Sequence, residues 1–190
     1  GCFRRIAERM TPSPTYFELV TAAAFQLFQQ HEVDLALIEV GLGGRFDATN
    51  VITPVAAAIT NIDLEHTQYL GDTLEKIAFE KAGILKESVP AVIGETQPEP
   101  LGVILARARE LGCPVRRMER DFRFEMQGPS ANPAFTYRGD AFTLGPVTLG
   151  LPGDFQGPNA ALAVALAECL AQTFPQLDSR AMLTGLRTAR

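Results

Sequence analysis

Only three lysines and two histidines occur in 190 residues. No apolar run approaches the roughly 18–20 residues that span a bilayer, so no transmembrane helix is expected. The three cysteines, Cys2, Cys113 and Cys169, are widely spaced and odd in number. That pattern fits neither a disulfide framework nor a zinc site, and it predicts small hydrophobes in a reducing cytoplasm. Basic residues are in deficit: Lys+Arg 17 against Asp+Glu 22 gives a net charge of -5, which argues against a nucleic-acid surface. The basic stretch 1–10 has no apolar core and is not a secretory signal. No G-x-x-x-x-G-K-[ST] run is present, and no glycine precedes a lysine, so this type of phosphate-cradling loop is missing. What remains is 46% hydrophobic and 21% charged, a globular composition that excludes overall disorder. The length suits one ordinary domain or the middle of a larger one.

Strand-like and helix-like patterns alternate along the first two thirds. Ser13 and Pro14 predict a helix start, with Phe17, Val20, Ala24, Leu27 and Phe28 at helical spacing to about Gln30. Val33–Val40 reads as a buried parallel strand, ended by the Gly-rich turn Gly41–Gly44. Val55–Ile62, Val89–Ile93 and Val115–Met118 are further strands. Helices are expected between them, from Asp72, as the cap of a capping-box-like start with Glu75, to Lys86, and from Glu99 to Leu111. Residues 121–149 alternate instead with period two and carry turn signals at Asn132-Pro133 and Gly139-Asp140, the signature of a small antiparallel hairpin region. An apolar helix follows from Gly157 to about Thr173, and a last one begins near Ser179. The class is α/β, a mostly parallel sheet flanked by helices.

All three lysines, Lys76, Lys81 and Lys86, fall in one expected helix. Its apolar stripe is Leu74, Ile77, Ala78, Ala82 and Leu85, and Lys81 occupies the missing inward position. Either its ammonium snorkels to water, or burial favours a neutral amine open to chemistry such as carbamylation by CO2. Glu39 sits near the end of an apolar strand, where it is either a salt-bridged strand end or a ligand. His66 follows the next strand, as an exposed loop histidine or a ligand. His31 is expected to be solvated. Ligands in parallel sheets gather beyond the carboxyl strand ends, so Glu39, His66 and Lys81 could converge there on magnesium.

The run Glu39-Val40-Gly41-Leu42-Gly43-Gly44-Arg45-Phe46-Asp47-Ala48-Thr49-Asn50 resembles the signature of the folylpolyglutamate synthase and dihydrofolate synthase enzymes, the folate branch of the Mur ligase superfamily. Four more stretches fit in the same order. They are Ser13–Glu18, Thr60–Thr67 around His66, Glu80–Ile84 around Lys81, and Gln156–Ala161 around Asn159. A departure is Phe155, where the family usually has histidine.

The resemblance implies the central ATPase domain of such a ligase over residues 1–190, partial, with the phosphate loop upstream and a second domain downstream. It implies an internal fragment that is inactive alone. The parent activity would be ATP-dependent addition of L-glutamate to dihydropteroate or reduced folate through an acyl phosphate, in folate biosynthesis and one-carbon metabolism. Metal binding would fall to Glu39, His66 and a carbamylated Lys81, with Mg²⁺ as the cofactor and His66 and Lys81 catalytic. Thr15, Tyr16, Phe17, Glu18, Phe46, Asp47 and Ala48 would line the pterin pocket, and Asn159 would touch ATP. Asp47 within Asp-Ala-Thr-Asn implies the bifunctional bacterial type. The expected partners are small molecules, with no nucleic acid or membrane, and the parent is expected to be monomeric and cytoplasmic. A Mur-type ligase for UDP-linked substrates and a non-catalytic module of the same fold are the competing readings.

Overall fold

A computed structural model describes residues 13–129, 133–153 and 155–190. They form two compact units, one up to Thr53 and one from Pro54 on.

The first unit opens with helix α1, Tyr16–Gln30. Its cap is Thr15 rather than the expected Ser13. The Thr15 hydroxyl accepts from the Glu18 N–H (3.3 Å), and the Glu18 carboxylate accepts from the Thr15 N–H (2.7 Å). This reciprocal pair satisfies two donors at once, which a serine before Pro14 could not do. Residues 33–40, expected as a buried strand, form no strand, and Leu35 and Leu37 are exposed. An apolar run supplies the side chains of a strand but not its ladder. Among the described residues this segment pairs with no other strand, so its burial is not realised. The Gly-rich turn follows, then a 3-10 turn at Ala48–Val51.

The second unit holds a parallel sheet of β1 (Ala57–Ile59), β2 (Ala91–Ile93) and β3 (Val115–Arg117), in that order, with Ala57 opposite Ala91 and Ala91 opposite Val115. Parallel neighbours need crossovers. These contain α2 (Thr67–Leu70) and α3 (Leu74–Ala82) between β1 and β2, and α4 (Pro98–Glu110) between β2 and β3. Alternation sorts the strand residues. Ala57, Ile59, Ala91 and Ile93 face Ile77, Ala78, Ala82, Leu101 and Ile104 of α3 and α4, while Val92 joins the core on the other side. The cap of α3 is Thr73, not Asp72. The Thr73 hydroxyl accepts from the Lys76 N–H, and Asp72 instead pairs with the Lys76 ammonium at 2.6 Å.

On the opposite side lie an antiparallel sheet, β4 (Arg123–Gln127), β5 (Ala134–Arg138) and β6 (Thr143–Thr148), and helices α5 (Gln156–Leu170) and α6 (Ser179–Thr188). The hairpin region is therefore where the alternation predicts it. Helix α5 is apolar nearly all round because it is buried on more than one side. It packs on β1 and β2 and also on β4 and β5. Small residues allow the close approach: a Cβ at Gly157 would lie 2.6 Å from the Phe124 ring. One charge is buried on α5. Glu168 accepts from Arg116 Nη1 (2.6 Å), the Tyr137 hydroxyl (2.7 Å) and the Phe142 N–H (2.9 Å), joining β3 and β5 to the helix. A buried carboxylate persists only with such partners. Cys113 and Cys169 are half-buried free thiols, as expected, and Cys2 lies outside the described residues.

Candidate active site

In the second unit the chain leaves the carboxyl end of β1 into the loop Asn61–His66. This loop is fastened to the segment after β2 by Glu95, only 3% exposed. The Glu95 carboxylate accepts from the N–H groups of Ile62 (2.5 Å), Thr96 (2.7 Å) and Gln97 (2.6 Å), and the Gln97 amide donates to the Ile62 carbonyl (3.2 Å). His66 ends the loop in the left-handed region, at φ 49° and ψ 36°. That conformation is uncommon for a residue with a side chain and marks a position fixed by its surroundings. Its carbonyl accepts from Tyr69 and Leu70, starting α2, while its imidazole makes no capping bond.

Lys81 lies in the last turn of α3, where a cation suits the helix dipole. The expected stripe is present: Ile77, Ala78, Ala82 and Leu85 are buried. Lys81 is neither fully inward nor free. Its side chain is 23% exposed, and its ammonium pairs with the Glu65 carboxylate at 2.9 Å. The Lys81 hydrogen bond and charge hold the Glu65 carboxyl below its usual range, against the opposing effect of burial and with a smaller contribution from His66. Lys76, by contrast, is on the outer face in a solvent-exposed pair.

Glu39 belongs to the first unit and is exposed, not at a strand end as expected. In the same unit two of the expected substrate-binding stretches meet. The Phe17 ring lies against Gly41, where a Cβ would fall within 3.0 Å of three ring carbons. Only glycine permits that approach. Gly43, at φ 67°, makes the turn. Asp47 closes it: one carboxylate oxygen accepts from the N–H groups of Gly41 (3.0 Å) and Leu42 (2.9 Å), the other from the Thr49 N–H (2.9 Å) and hydroxyl (2.6 Å). Burial tends to raise its carboxyl, and the donors of Thr49, Leu42 and Gly41 outweigh that and hold it low. Thr15 and Glu18 are engaged with each other in the cap of α1, while Tyr16 and Phe46 are 83% and 82% exposed. The Arg45 guanidinium stacks 4.3 Å above the Phe46 ring. Ala48 begins the 3-10 turn.

Asn159 is exposed in the first turn of α5, with its amide 3.4 Å from the Gln156 side chain, and Phe155 beside it is exposed.

Among the described residues no three His, Cys, Asp or Glu side chains cluster as a ready-made metal cage. The donor set still suits a hard cation, because His66 stands next to Glu65 in the chain and Lys81 touches Glu65. An ammonium cannot ligate a metal, whereas a carbamate on the same nitrogen offers oxygens. Sequence reasoning missed Glu65, Glu95 and Gln97. The signal for Glu95 was present in Val92-Ile93-Gly94-Glu95, a carboxylate directly after an apolar strand, the same pattern that singled out Glu39.

The profile of the Mur ligase middle domain matches residues 10–167. The human mitochondrial folylpolyglutamate synthase is 43% identical over 161 residues, covering 84% of this chain and 24% of the relative. The Bacillus subtilis dihydrofolate synthase/folylpolyglutamate synthase is 39% identical over 176 residues, covering 91% and 41%. The structure of E. coli FolC in complex with DHPP and ADP superposes with a TM-score of 0.86 at 34% identity, covering 99% of this chain and 43% of that one. The chain thus spans less than half the length of each protein it matches here. Among the described residues no helix is long and apolar enough to cross a membrane.

Proposed function

This chain belongs to the Mur ligase family, within its folylpolyglutamate and dihydrofolate synthase branch, and from that premise we propose that the whole protein is an ATP-dependent amide ligase that adds L-glutamate to dihydropteroate, to reduced folate, or to both. The observation that carries the reading is the packing of Phe17 on Gly41, which unites the α1 start with the Gly-rich turn of the Glu39–Asn50 run. The named relatives and the ligands of E. coli FolC support it.

Each residue then has a task. Tyr16, Phe17 and Phe46 offer aromatic faces to a flat heterocycle, and Thr15, Glu18 and Ala48 border them. Asp47 acts on the substrate indirectly, by fixing the turn that presents Phe46, since both its oxygens are committed to the loop's own donors. Asn159, exposed at the start of α5, offers its amide to the nucleotide. In the second unit His66 and a carbamylated Lys81 would hold Mg²⁺, which when bound neutralises charge on the phosphoryl oxygens; in the first unit the exposed Glu39 carboxylate is proposed as a cation ligand on the resemblance alone. The substrate carboxylate takes the γ-phosphoryl group of ATP, and the amine of L-glutamate displaces phosphate from the resulting acyl phosphate. The Glu95 anchor keeps His66 in place while charge builds up.

The test is phosphate release by the purified whole protein with ATP, Mg²⁺ and L-glutamate, offering dihydropteroate or tetrahydrofolate in turn. Turnover is expected with at least one of the two, and to require L-glutamate. Lys81→Ala is expected to abolish it, and Lys76→Ala to leave it within about twofold, since an exposed ion pair contributes little. Turnover with UDP-linked acceptors alone would overturn the reading.

A further inference from the structure

Phe155 departs from the histidine usual at this place in the family and has no task in the function proposed above. It stands immediately before α5 with helical backbone angles, φ -74° and ψ -6°. Asn159 follows four residues later, so the two side chains share one face of the first turn. Both are exposed.

Three contacts fix where that turn lies in the second unit. Gly94, the residue after β2, comes so close to α5 that a Cβ there would lie 2.8 Å from Leu162 Cδ1. Further along the helix, Glu168 accepts from Arg116 in the middle of β3. From Leu162 to Glu168 the helix therefore runs from the carboxyl edge of the parallel sheet back over its strands, and its first turn lies toward that edge. Gly157, packed on the Phe124 ring, holds the helix start against the antiparallel sheet. The carboxyl edge is where open parallel sheets take their ligands.

The ring of Phe155 is itself held. It lies against Gly153, where a Cβ would fall 2.9, 3.1 and 3.5 Å from three of its carbons. The Gln156 N–H donates to the Gly153 carbonyl (3.1 Å) and closes the backbone around this seat. Phe155 is nevertheless 65% exposed. A large ring fixed by the local chain and left open to solvent offers a flat apolar surface to a flat ligand.

Building on the assignment of Asn159 to the nucleotide, we propose that Phe155 is a further nucleotide-binding residue, whose ring stacks on the purine base of ATP. Stacking on an aromatic ring uses the π-face that every base has. Phenylalanine adds no hydrogen bond of its own, so the polar contacts of the nucleotide on this face fall to Asn159.

The experiment is isothermal titration calorimetry of the whole protein with a non-hydrolysable ATP analogue in Mg²⁺. Phe155→Ala is expected to raise the Kd at least about fivefold, the lower end of what a base–aromatic stack contributes. Phe155→Tyr keeps the ring and is expected to restore the Kd to within about twofold of the unaltered protein. Phe155→Leu keeps an apolar contact with Gly153 but has no ring, and is expected to bind as weakly as Phe155→Ala. Circular dichroism checks the fold of each variant. A smaller effect of Phe155→Ala, or a Phe155→Tyr variant as weak as Phe155→Ala, would overturn the inference. Restoration by Phe155→Leu would overturn it too, by showing that the side chain only packs on Gly153. If the unaltered protein does not bind the analogue, the assignment of ATP itself falls and takes this inference with it.

Discussion

Glu95, which the sequence did not single out, anchors the loop before His66, because three backbone donors end on one buried carboxylate. Glu95→Ala leaves the Ile62 N–H without its acceptor, at a cost of about 1–3 kcal/mol for that group alone. The loop bearing Glu65 and His66 should loosen with it. The expected result is a lower denaturation midpoint together with a raised KM for metal in the ligase assay, and an unchanged midpoint would remove Glu95 from this role. Such residues are hard to read in a sequence. Glu95 and Ile62 are 33 positions apart, and Glu65 and Lys81 are 16 apart, so no local pattern records either bond. Lys81 was legible because it interrupts a helical stripe, and Asp47 because it ends a Gly-rich turn. What the turn conceals is that Asp47 spends its oxygens on its own loop. Its folded-state pKa lies below the ordinary 3.8. Its contribution to the loop is therefore fully present above pH 3.8 and is lost as the pH falls through the lowered value. In an acid titration followed by NMR, the Leu42 and Thr49 amide signals should hold at pH 5 and shift together only below the ordinary aspartate range. A transition centred above pH 4 would contradict the assignment.

Among the elements, periodicity served where packing completes it. Helix α3 shows the expected buried stripe, and residues 121–149 form the expected antiparallel strands. It failed at 33–40, where the apolar run has the composition of a strand but no ladder among the described residues. Helix starts shifted by one or two residues, from Ser13 to Thr15 and from Asp72 to Thr73, since the cap is decided by which hydroxyl reaches the third amide. The tightest element is α5. Ala161 is fully buried within the core that α5 shares with both sheets. Ala161→Leu adds three carbons where no space exists, and overpacking of this kind costs about 1–3 kcal/mol. A fall in the urea midpoint without a change in slope would report it. A neutral or stabilising result would mean that α5 can move away from one sheet.

At the level of the whole molecule, the division at Thr53 was not foreseen, because composition and periodicity do not change there. The resemblance, by contrast, covered the chain from Ser13 on, and the fold agrees with it. The chain as it stands has no Gly-rich loop ending in lysine, and Lys81 is committed to Glu65. Phosphoryl transfer depends on backbone donors and a lysine positioned on the phosphates. The 190-residue chain alone is therefore expected to release no phosphate above background with ATP, Mg²⁺, dihydropteroate and L-glutamate. Steady turnover requiring all of them would show that another group performs that positioning.

Helix α5 lies against β1 and β2 on one side and β4 and β5 on the other. Exposing its backbone to solvent means parting it from both sheets together. Native-state hydrogen exchange distinguishes segments that open alone from those released only when a whole unit unfolds. The α5 amides from Ala160 to Glu168 should exchange at the rate set by complete opening of residues 54–190. They would act as an internal clock for that event, while the amides of the exposed Asp63 and Leu64 exchange many times in between.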